Sequence, residues 1–214
     1  MTKFYRVCYI LVAWIFKLGM RIKVVNRDKQ PNLKDGACII CSNHISATDP
    51  IAIAVALNKI QPHYLAKEQV FKNKLVGWFL RNLGAIPVTR TGNDVGALKT
   101  TIKSLGEGKC IGIFPQGTRH PGKNPRDTKI RGGVGMIQAH ASARVLPVYI
   151  STKENKVKFL RKITVVIGDV ITPEQIGKEG KGSAEYERIG NLIFDRICTL
   201  GEEYEKQLAE KKRK

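Results

Sequence analysis

The stretch "ACIICSNHISATDPIAIAVALN", residues 37 to 58, holds the local patterns on which the fold depends. It opens with "ACIICSN", an apolar and β-rich run that predicts a buried strand. It closes with "DPIAIAVALN", where Pro50 suits the first position of a helix, so the pattern predicts a helix start with Asp49 as its N-cap. His44 falls in the polar turn between the two elements.

The spacing of His44 and Asp49 leaves two interpretations open. In a continuous helix, positions five apart point about 140° away from each other and could not meet. If "ISAT" is a turn instead, the Asp49 carboxylate can contact one imidazole nitrogen, fix the tautomer and leave the other nitrogen as a base. In the alternative, Asp49 only caps its own helix and His44 belongs to an ordinary polar turn.

Strand and helix patterns alternate along the whole chain. Helices are predicted at 49–58, 71–84, 94–109, 133–143 and 183–210, and strands at 21–26, 37–43, 63–67, 85–90, 110–113, 145–151 and 163–171. This alternation predicts one α/β domain with a mixed, mostly parallel sheet flanked by helices. The turn-like "RDKQPNLKDG" between the first two strands suggests that they pair as a hairpin. In the helix at 71–84, Leu75, Trp78 and Phe79 share one face.

The composition is strongly basic. The 214 residues carry 37 Lys and Arg against 18 Asp and Glu, a formal net charge of +19. Such a charge favours a polyanionic partner, whether nucleic acid, anionic lipid or a phosphorylated small molecule, and does not choose among them. The C-x-x-C formed by Cys38 and Cys41 lies in the predicted buried strand and lacks a second ligand pair, so core packing is expected rather than metal binding.

An apolar segment, "VCYILVAWIF", occupies residues 7 to 16 and is flanked by Arg6 and Lys17. As a helix it would be about 15 Å long, half of a hydrocarbon layer of about 30 Å. The following "KLGMRIK" lacks the small residues of a signal-peptide cleavage site. We therefore expect residues 1–24 to form a membrane-associating interfacial helix, and residues 25–214 to form the main domain. A buried core helix is the alternative.

Cationic residues follow three further predicted strands. Lys67 ends "HYLAK", Arg90 ends "AIPVTR", and Arg119 ends "FPQGTR" after the buried strand "CIGI". Parallel neighbouring strands would bring these side chains to one edge of the sheet. Arginine donors together with approachable loop amides suit a phosphate monoester.

Four ordered blocks resemble those of the glycerolipid acyltransferases, and most closely the 1-acylglycerol-3-phosphate acyltransferases. They are "NHISATD" (43–49), "GAIPVTR" (84–90), "FPQGTR" (114–119) and "VLPV" (145–148). Any one block is weakly specific, whereas four in order are highly specific. The resemblance covers nearly the whole chain.

The resemblance implies a role for each matching residue. His44 would be the general base that deprotonates the sn-2 hydroxyl of lysophosphatidic acid, with Asp49 orienting it. Lys67, Arg90 and Arg119 would hold the acceptor phosphate, and Gly117 and Thr118 would supply further donors. Lys129 and Arg131, before a glycine-rich helix start, are candidate helpers for anion binding.

The implied reaction transfers an acyl chain from acyl-CoA or acyl carrier protein and gives phosphatidic acid. It needs neither a cofactor nor a metal. Partners would be lysophosphatidic acid, the acyl donor and anionic lipid rather than nucleic acid, at the cytoplasmic face of the cell membrane in peripheral or monotopic association.

One departure affects the choice of acceptor. The family usually has Glu where this chain has Gln116, and an amide cannot form a charge-assisted pair with Arg119. Glycerol-3-phosphate or another lysolipid therefore remains open as acceptor, and the motifs are also compatible with hydrolysis. A non-catalytic basic protein that binds anionic membranes or nucleic acid would explain the charge, but not the ordered blocks.

Overall fold

The computed structural model describes residues 2–19, 21–88, 95–158 and 160–213. The strands are β1 (Ile22–Val25), β2 (Cys38–Ser42), β3 (Pro62–Lys67), β4 (Ile86–Val88), β5 (Cys110–Ile113), β6 (Arg144–Thr152) and β7 (Ile163–Ile167). The α-helices are α1 (Lys3–Gly19), α2 (Asp49–Ala56), α3 (Lys74–Asn82), α4 (Val95–Gly106), α5 (Gly133–Ala141), α6 (Pro173–Ile176) and α7 (Ser183–Arg213). The predicted elements are therefore present, with shifted ends.

The strands form one sheet in the order β1-β7-β6-β2-β5-β3-β4. Neighbouring strands are parallel except β6 and β7, which are antiparallel. The prediction of a single α/β domain with a mixed, mostly parallel sheet is confirmed. Because β2, β5, β3 and β4 run the same way, their carboxyl ends meet at one edge, and the loops that follow them gather there.

The predicted hairpin between the first two strands is wrong. β1 pairs in parallel with β7, with Ile22 opposite Ile163, while β2 lies between β5 and β6. All five residues of β2 are buried, whereas β1 is only partly covered. A strand that is apolar on both faces is stable in the interior of a sheet covered by helices on both sides, and the less buried strand goes to the edge.

Two apolar clusters fill the two faces of the sheet. Helices α4, α5 and α7 cover one face, and α1 and α2 lie on the other side. Cys41 belongs to the first cluster and Cys38 to the second, because positions three apart in a strand point to opposite faces. Both side chains are fully buried, which confirms that this C-x-x-C is part of the core.

Helix α1 packs against α2 and β1 through the side that carries Tyr5 and Ala13. Tyr5 and Ala13 are buried, and the Tyr9 hydroxyl donates to the Val55 carbonyl oxygen at 3.3 Å. Among the helices that the structure describes, none has both the length and the apolar character needed to cross a bilayer. The expected division after residue 24 falls within β1, whose residues already belong to the sheet.

A close approach of α5 and α7 makes one glycine sensitive to substitution. A Cβ on Gly135 would overlap the Tyr186 carbonyl oxygen and lie 2.8 Å from the Gly190 nitrogen, whereas a Cβ on Gly96 of α4 would meet no atom of the described residues within 4 Å. We expect Gly135→Ala to lower the free energy of unfolding by at least about 2 kcal/mol through overpacking. Gly96→Ala, the matched control, should raise it by about 0.5–1 kcal/mol. Urea unfolding checks both, and equal effects would contradict the packing described here.

Candidate active site

The turn between β2 and α2 brings His44 against Asp49. The His44 Nδ1 and the Asp49 Oδ2 lie 2.8 Å apart, because the chain turns at residues 43–48 instead of continuing as helix. The Asp49 N–H closes this turn on the Ser46 carbonyl oxygen at 3.2 Å. Thr48 is the N-cap and Asp49 the first helical residue, so the predicted N-cap is displaced by one position.

The Asp49 carboxylate is bound by the turn that precedes it. Its Oδ2 accepts from the Ile45 N–H at 2.6 Å and the Ser46 N–H at 2.8 Å as well as from His44. The side chain is only 1% exposed. Since an ionised carboxylate can only accept, this contact requires a proton on Nδ1, and in the neutral imidazole the lone pair is then on Nε2.

The imidazole ring is also held by an aromatic side chain. His44 stacks on Phe114, the residue after β5, with ring centroids 4.0 Å apart and planes 15° apart. Tyr64 of β3 lies nearly parallel to Phe114 with centroids 6.0 Å apart. The ring orientation is therefore fixed by Asp49 at one edge and by Phe114 on one face. The sequence patterns gave no indication of this stacking.

Gln116 supports the main chain of His44. Its buried side chain accepts the His44 N–H at Oε1, 2.6 Å away, and donates from Nε2 to the Thr128 Oγ1 at 2.7 Å. Thr128 in turn donates to the Pro125 carbonyl oxygen at 2.6 Å. Both polar atoms of the Gln116 side chain are therefore hydrogen-bonded, the oxygen as an acceptor and the nitrogen as a donor. Thr128 lies outside the four blocks, so its part could not be found from the motifs.

A cavity of about 600 Å³, lined in part by His44, lies between the sheet and helices α4 and α5. Its walls are largely apolar and include Leu65, Val88, Leu98 and Ile137. This volume lies within the range usual for ligand sites. Of its lining residues in the described part of the chain, none is a serine or a cysteine. Nor do three His, Cys, Asp or Glu side chains cluster as a metal site would require anywhere in the described residues.

The structure describes two of the three predicted phosphate-binding cations, Lys67 and Arg119. Lys67 ends β3 with an exposed side chain, and Arg119 lies exposed in the loop after β5. Neither residue is among those that line the cavity, whereas Arg131 is, beside Gly117. Arg90 lies outside the described residues.

Three other arginines of the described chain are paired with carboxylates. Arg126 pairs with Glu202 and Asp195, Arg144 with Asp35, and Arg188 with Glu185. Within residues 2–19, 21–88, 95–158 and 160–213, Lys67, Lys129, Arg119 and Arg131 form no salt bridge. Positive charge at this edge of the sheet is therefore not neutralised by described carboxylates.

The loop that carries Gly117 and Thr118 is folded tightly around His44. Gly117 has φ 68°, a left-handed conformation that glycine adopts readily, and donates its N–H to the Phe114 carbonyl oxygen at 2.9 Å. The Thr118 hydroxyl lies 3.2 Å from the His120 Nε2, and the His120 N–H donates to the His44 carbonyl oxygen at 2.9 Å. The N–H groups of Thr118 and Arg119 have no acceptor in the described part of the chain.

Comparison with known proteins identifies related sequences and a related fold. A family model described as Acyltransferase matches residues 21–151. A 1-acyl-sn-glycerol-3-phosphate acyltransferase of Bacillus subtilis (strain 168) is 33% identical over 167 residues, which span 77% of this chain and 81% of the relative. One of the same name from Streptococcus pneumoniae (strain ATCC BAA-255 / R6) is 32% identical over 140 residues, 65% of this chain and 50% of the relative.

A solved structure shares the fold. The crystal structure of the 1-acyl-sn-glycerophosphate (LPA) acyltransferase PlsC from Thermotoga maritima superposes with a TM-score of 0.61, covering 93% of this chain and 77% of that chain. The sequence identity is 23%, so this likeness supports the architecture alone.

The contact between Gln116 and Thr128 predicts a measurable cost of removing the threonine hydroxyl. Thr128→Val leaves the buried Gln116 amide without its acceptor, so we expect the free energy of unfolding to fall by about 1–3 kcal/mol. Thr100→Val is the matched control, because the Thr100 hydroxyl is exposed and bonds only to the Gly96 carbonyl of its own helix. Denaturant unfolding compares them, and equal losses would show that the Gln116 contact carries no stability.

Proposed function

The chain belongs to the acyltransferase family, and on that premise we propose that it acylates 1-acyl-sn-glycerol-3-phosphate to give phosphatidic acid. The observation that carries the proposal is the His44 imidazole, with Nδ1 on Asp49 and Nε2 left for a substrate, in the lining of a largely apolar cavity that Arg131 also lines. An acyl chain would pack in the apolar cavity, and an anionic head group would be bound by cations such as Arg131, which also lines it.

The geometry supports a direct transfer. His44 Nε2 takes the proton of the sn-2 hydroxyl as that oxygen attacks the carbonyl carbon of an acyl thioester. The tetrahedral intermediate then expels the thiolate, which receives the proton from the imidazolium, and the ester remains on the acceptor. Asp49 keeps the proton on Nδ1 and stabilises the imidazolium. The nucleophile belongs to the substrate, in keeping with the absence of serine and cysteine from the described cavity lining.

Acceptor binding is assigned to the cations at the carboxyl edge of the sheet. We propose that Lys67, Arg90 and Arg119 bind the phosphate, with Arg131 as a further donor beside Gly117. The N–H groups of Thr118 and Arg119, which lack acceptors in the described residues, are our candidates for stabilising the oxyanion. We also propose Gly117 and Thr118 as substrate-binding residues of this loop, although the Gly117 N–H already donates to the Phe114 carbonyl oxygen.

The acyl donor is acyl-CoA or acyl carrier protein, with its chain in the apolar cavity. We propose that the predicted segment 1–24 associates with the membrane through α1, that the rest of the chain to residue 214, with β1 in its sheet, forms the acyltransferase domain, and that the enzyme works in peripheral or monotopic association at the cytoplasmic face. A membrane-resident lysolipid would reach the site without crossing water, and anionic lipid attracts nearby Lys and Arg by about 1 kcal/mol each.

Removing the base tests the reaction. In anionic vesicles with lysophosphatidic acid, other lysolipids, glycerol-3-phosphate and both donor types, His44→Ala should lower turnover by about 10²–10⁴-fold while the fold persists. His140→Ala is the matched control, since His140 is exposed on α5 and its Nδ1 bonds the Met136 carbonyl oxygen. Retained turnover in His44→Ala would refute the general base, and turnover confined to another acceptor would refute the choice of substrate.

Removing a cation tests acceptor binding. Arg119→Ala should raise the KM for lysophosphatidic acid about ten-fold, since hydrogen bonds to charged groups contribute about 1.5–3 kcal/mol, with a smaller effect on the donor KM. Lys206→Ala, on the exposed side of α7, is the matched control for the loss of one positive charge. Equal changes in the two variants would indicate only the long-range effect of net charge.

A further inference from the structure

Helix α3 has its apolar face turned outward. Leu75, Val76, Trp78 and Phe79 are all exposed, with Leu75 at 76% and Trp78 at 53%. A surface helix of a water-soluble domain normally turns its apolar stripe to the core and its charges to solvent. Four large apolar side chains facing away from the protein on a nine-residue helix reverse that arrangement.

The rotation of α3 is set by contacts on its inner side. A Cβ on Gly77 would lie only 2.5 Å from the Phe71 carbonyl oxygen, so the helix approaches the preceding turn through this glycine. Arg81, four residues on, lies over the Phe71 ring at 5.2 Å. Any other rotation would put a side chain where Gly77 now lies. The outward direction of the apolar face is therefore built into the packing.

The outer side of α1 is apolar as well, and it meets α3. Val7, Ile10, Leu11 and Trp14 are exposed, Trp14 to 70%, on the side opposite the buried Tyr5 and Ala13. Phe4 lies at the start of this stripe, since positions three and four apart share a helix face.

Phe4 joins the two helices. Its ring makes edge contacts with Trp78 and Phe79, at centroid distances of 5.2 and 6.1 Å. We call the outer face of α1, from Phe4 to Trp14, together with the outer face of α3, from Leu75 to Phe79, the apolar platform. It is one continuous patch carried by two helices that are distant in sequence.

We propose that the apolar platform inserts into the outer layer of an anionic bilayer, with α3 as a second membrane-contacting helix beside α1. The charge around it favours lipid over a protein partner. Lys3 and Arg6 on α1, and Lys72, Lys74 and Arg81 at α3, are exposed and form no salt bridge in the described part of the chain. Tryptophan beside cations is typical of segments that lie at the boundary between hydrocarbon and head groups.

The position of α3 gives this insertion a use, which rests on the proposed function. α3 connects β3 to β4, and Leu65 of β3 and Val88 of β4 line the cavity that His44 also lines. Lys67, the proposed phosphate ligand, lies at the end of β3 just before the turn to α3. A bilayer that holds α3 would hold this edge of the sheet at the surface from which the lysolipid comes.

The two tryptophans of the chain allow each helix to be observed alone, since Trp14 lies on α1 and Trp78 on α3. In Trp14→Phe the remaining Trp78 should shift its fluorescence to the blue and be quenched by acyl-chain-brominated lipid in vesicles of phosphatidylcholine and phosphatidylglycerol. In Trp78→Phe, the remaining Trp14 should show the same blue shift and the same quenching. Quenching of Trp14 without quenching of Trp78 would overturn the proposal.

A charge placed in the platform provides the second measurement. Leu75→Glu should lower partition into the same vesicles about ten-fold, from the loss of one buried leucine. Leu33→Glu, at 42% exposure and outside the platform, is the matched control and should leave partition unchanged. Equal effects of the two variants would overturn the assignment, as would a wild-type dimer that Leu75→Glu dissociates without a change in vesicle binding.

Vesicle binding separates this proposal from the catalytic one. The vesicles contain no acyl donor and no lysolipid, so partition and quenching do not depend on turnover. If the catalytic proposal failed, quenching of Trp78 would still be expected. If the platform proposal failed, His44-dependent turnover of a short-chain lysophosphatidate in solution would persist.

Discussion

The buried carboxylate of Asp49 fixes the turn that follows β2 at the carboxyl edge of the sheet. A charge almost completely withdrawn from water is stable only if its lone pairs are satisfied, and here one oxygen accepts from the Ile45 and Ser46 amides and from the His44 ring. These three donors fix the turn after β2, the start of α2 and the direction of the imidazole together. The same bond that stabilises the turn leaves Nε2 as the available nitrogen.

A second series of contacts reaches His44 from the last helix. Arg126 binds Glu202 and Asp195 on α7, and these ion pairs anchor the turn at residues 125–128. Hydrogen bonds to the two carboxylates also raise the pKa of the Arg126 guanidinium above its ordinary value. Thr128 in that turn receives the Gln116 amide, and Gln116 holds the His44 N–H. The Gln116 side chain therefore supports the backbone at His44, and the Thr128 hydroxyl accepts the hydrogen bond that its nitrogen donates.

Two features of the surface suit contact with anionic lipid. Cations at the carboxyl edge of the sheet have no described carboxylate partners, and α1 and α3 turn large apolar side chains outward. Phosphate groups would pair with the cations, and hydrocarbon would cover the apolar side chains. A lipid surface supplies both, and it is also the source of the proposed acceptor.

The sequence by itself determined the alternation of strands and helices, the buried "CIICS" strand and the turn that contains His44, because local periodicity and proline or glycine positions report burial and chain reversal. It could not determine that β1 pairs with β7, that Gln116 meets Thr128, or that the apolar face of α3 points outward. Those depend on tertiary contacts, such as Phe4 against Trp78 between distant segments and the close approach of Gly77 to the Phe71 carbonyl oxygen. The pairing of His44 with Asp49 lies between the two cases: their spacing permitted it, and only the folded turn, with its two amides on the carboxylate, brought them together.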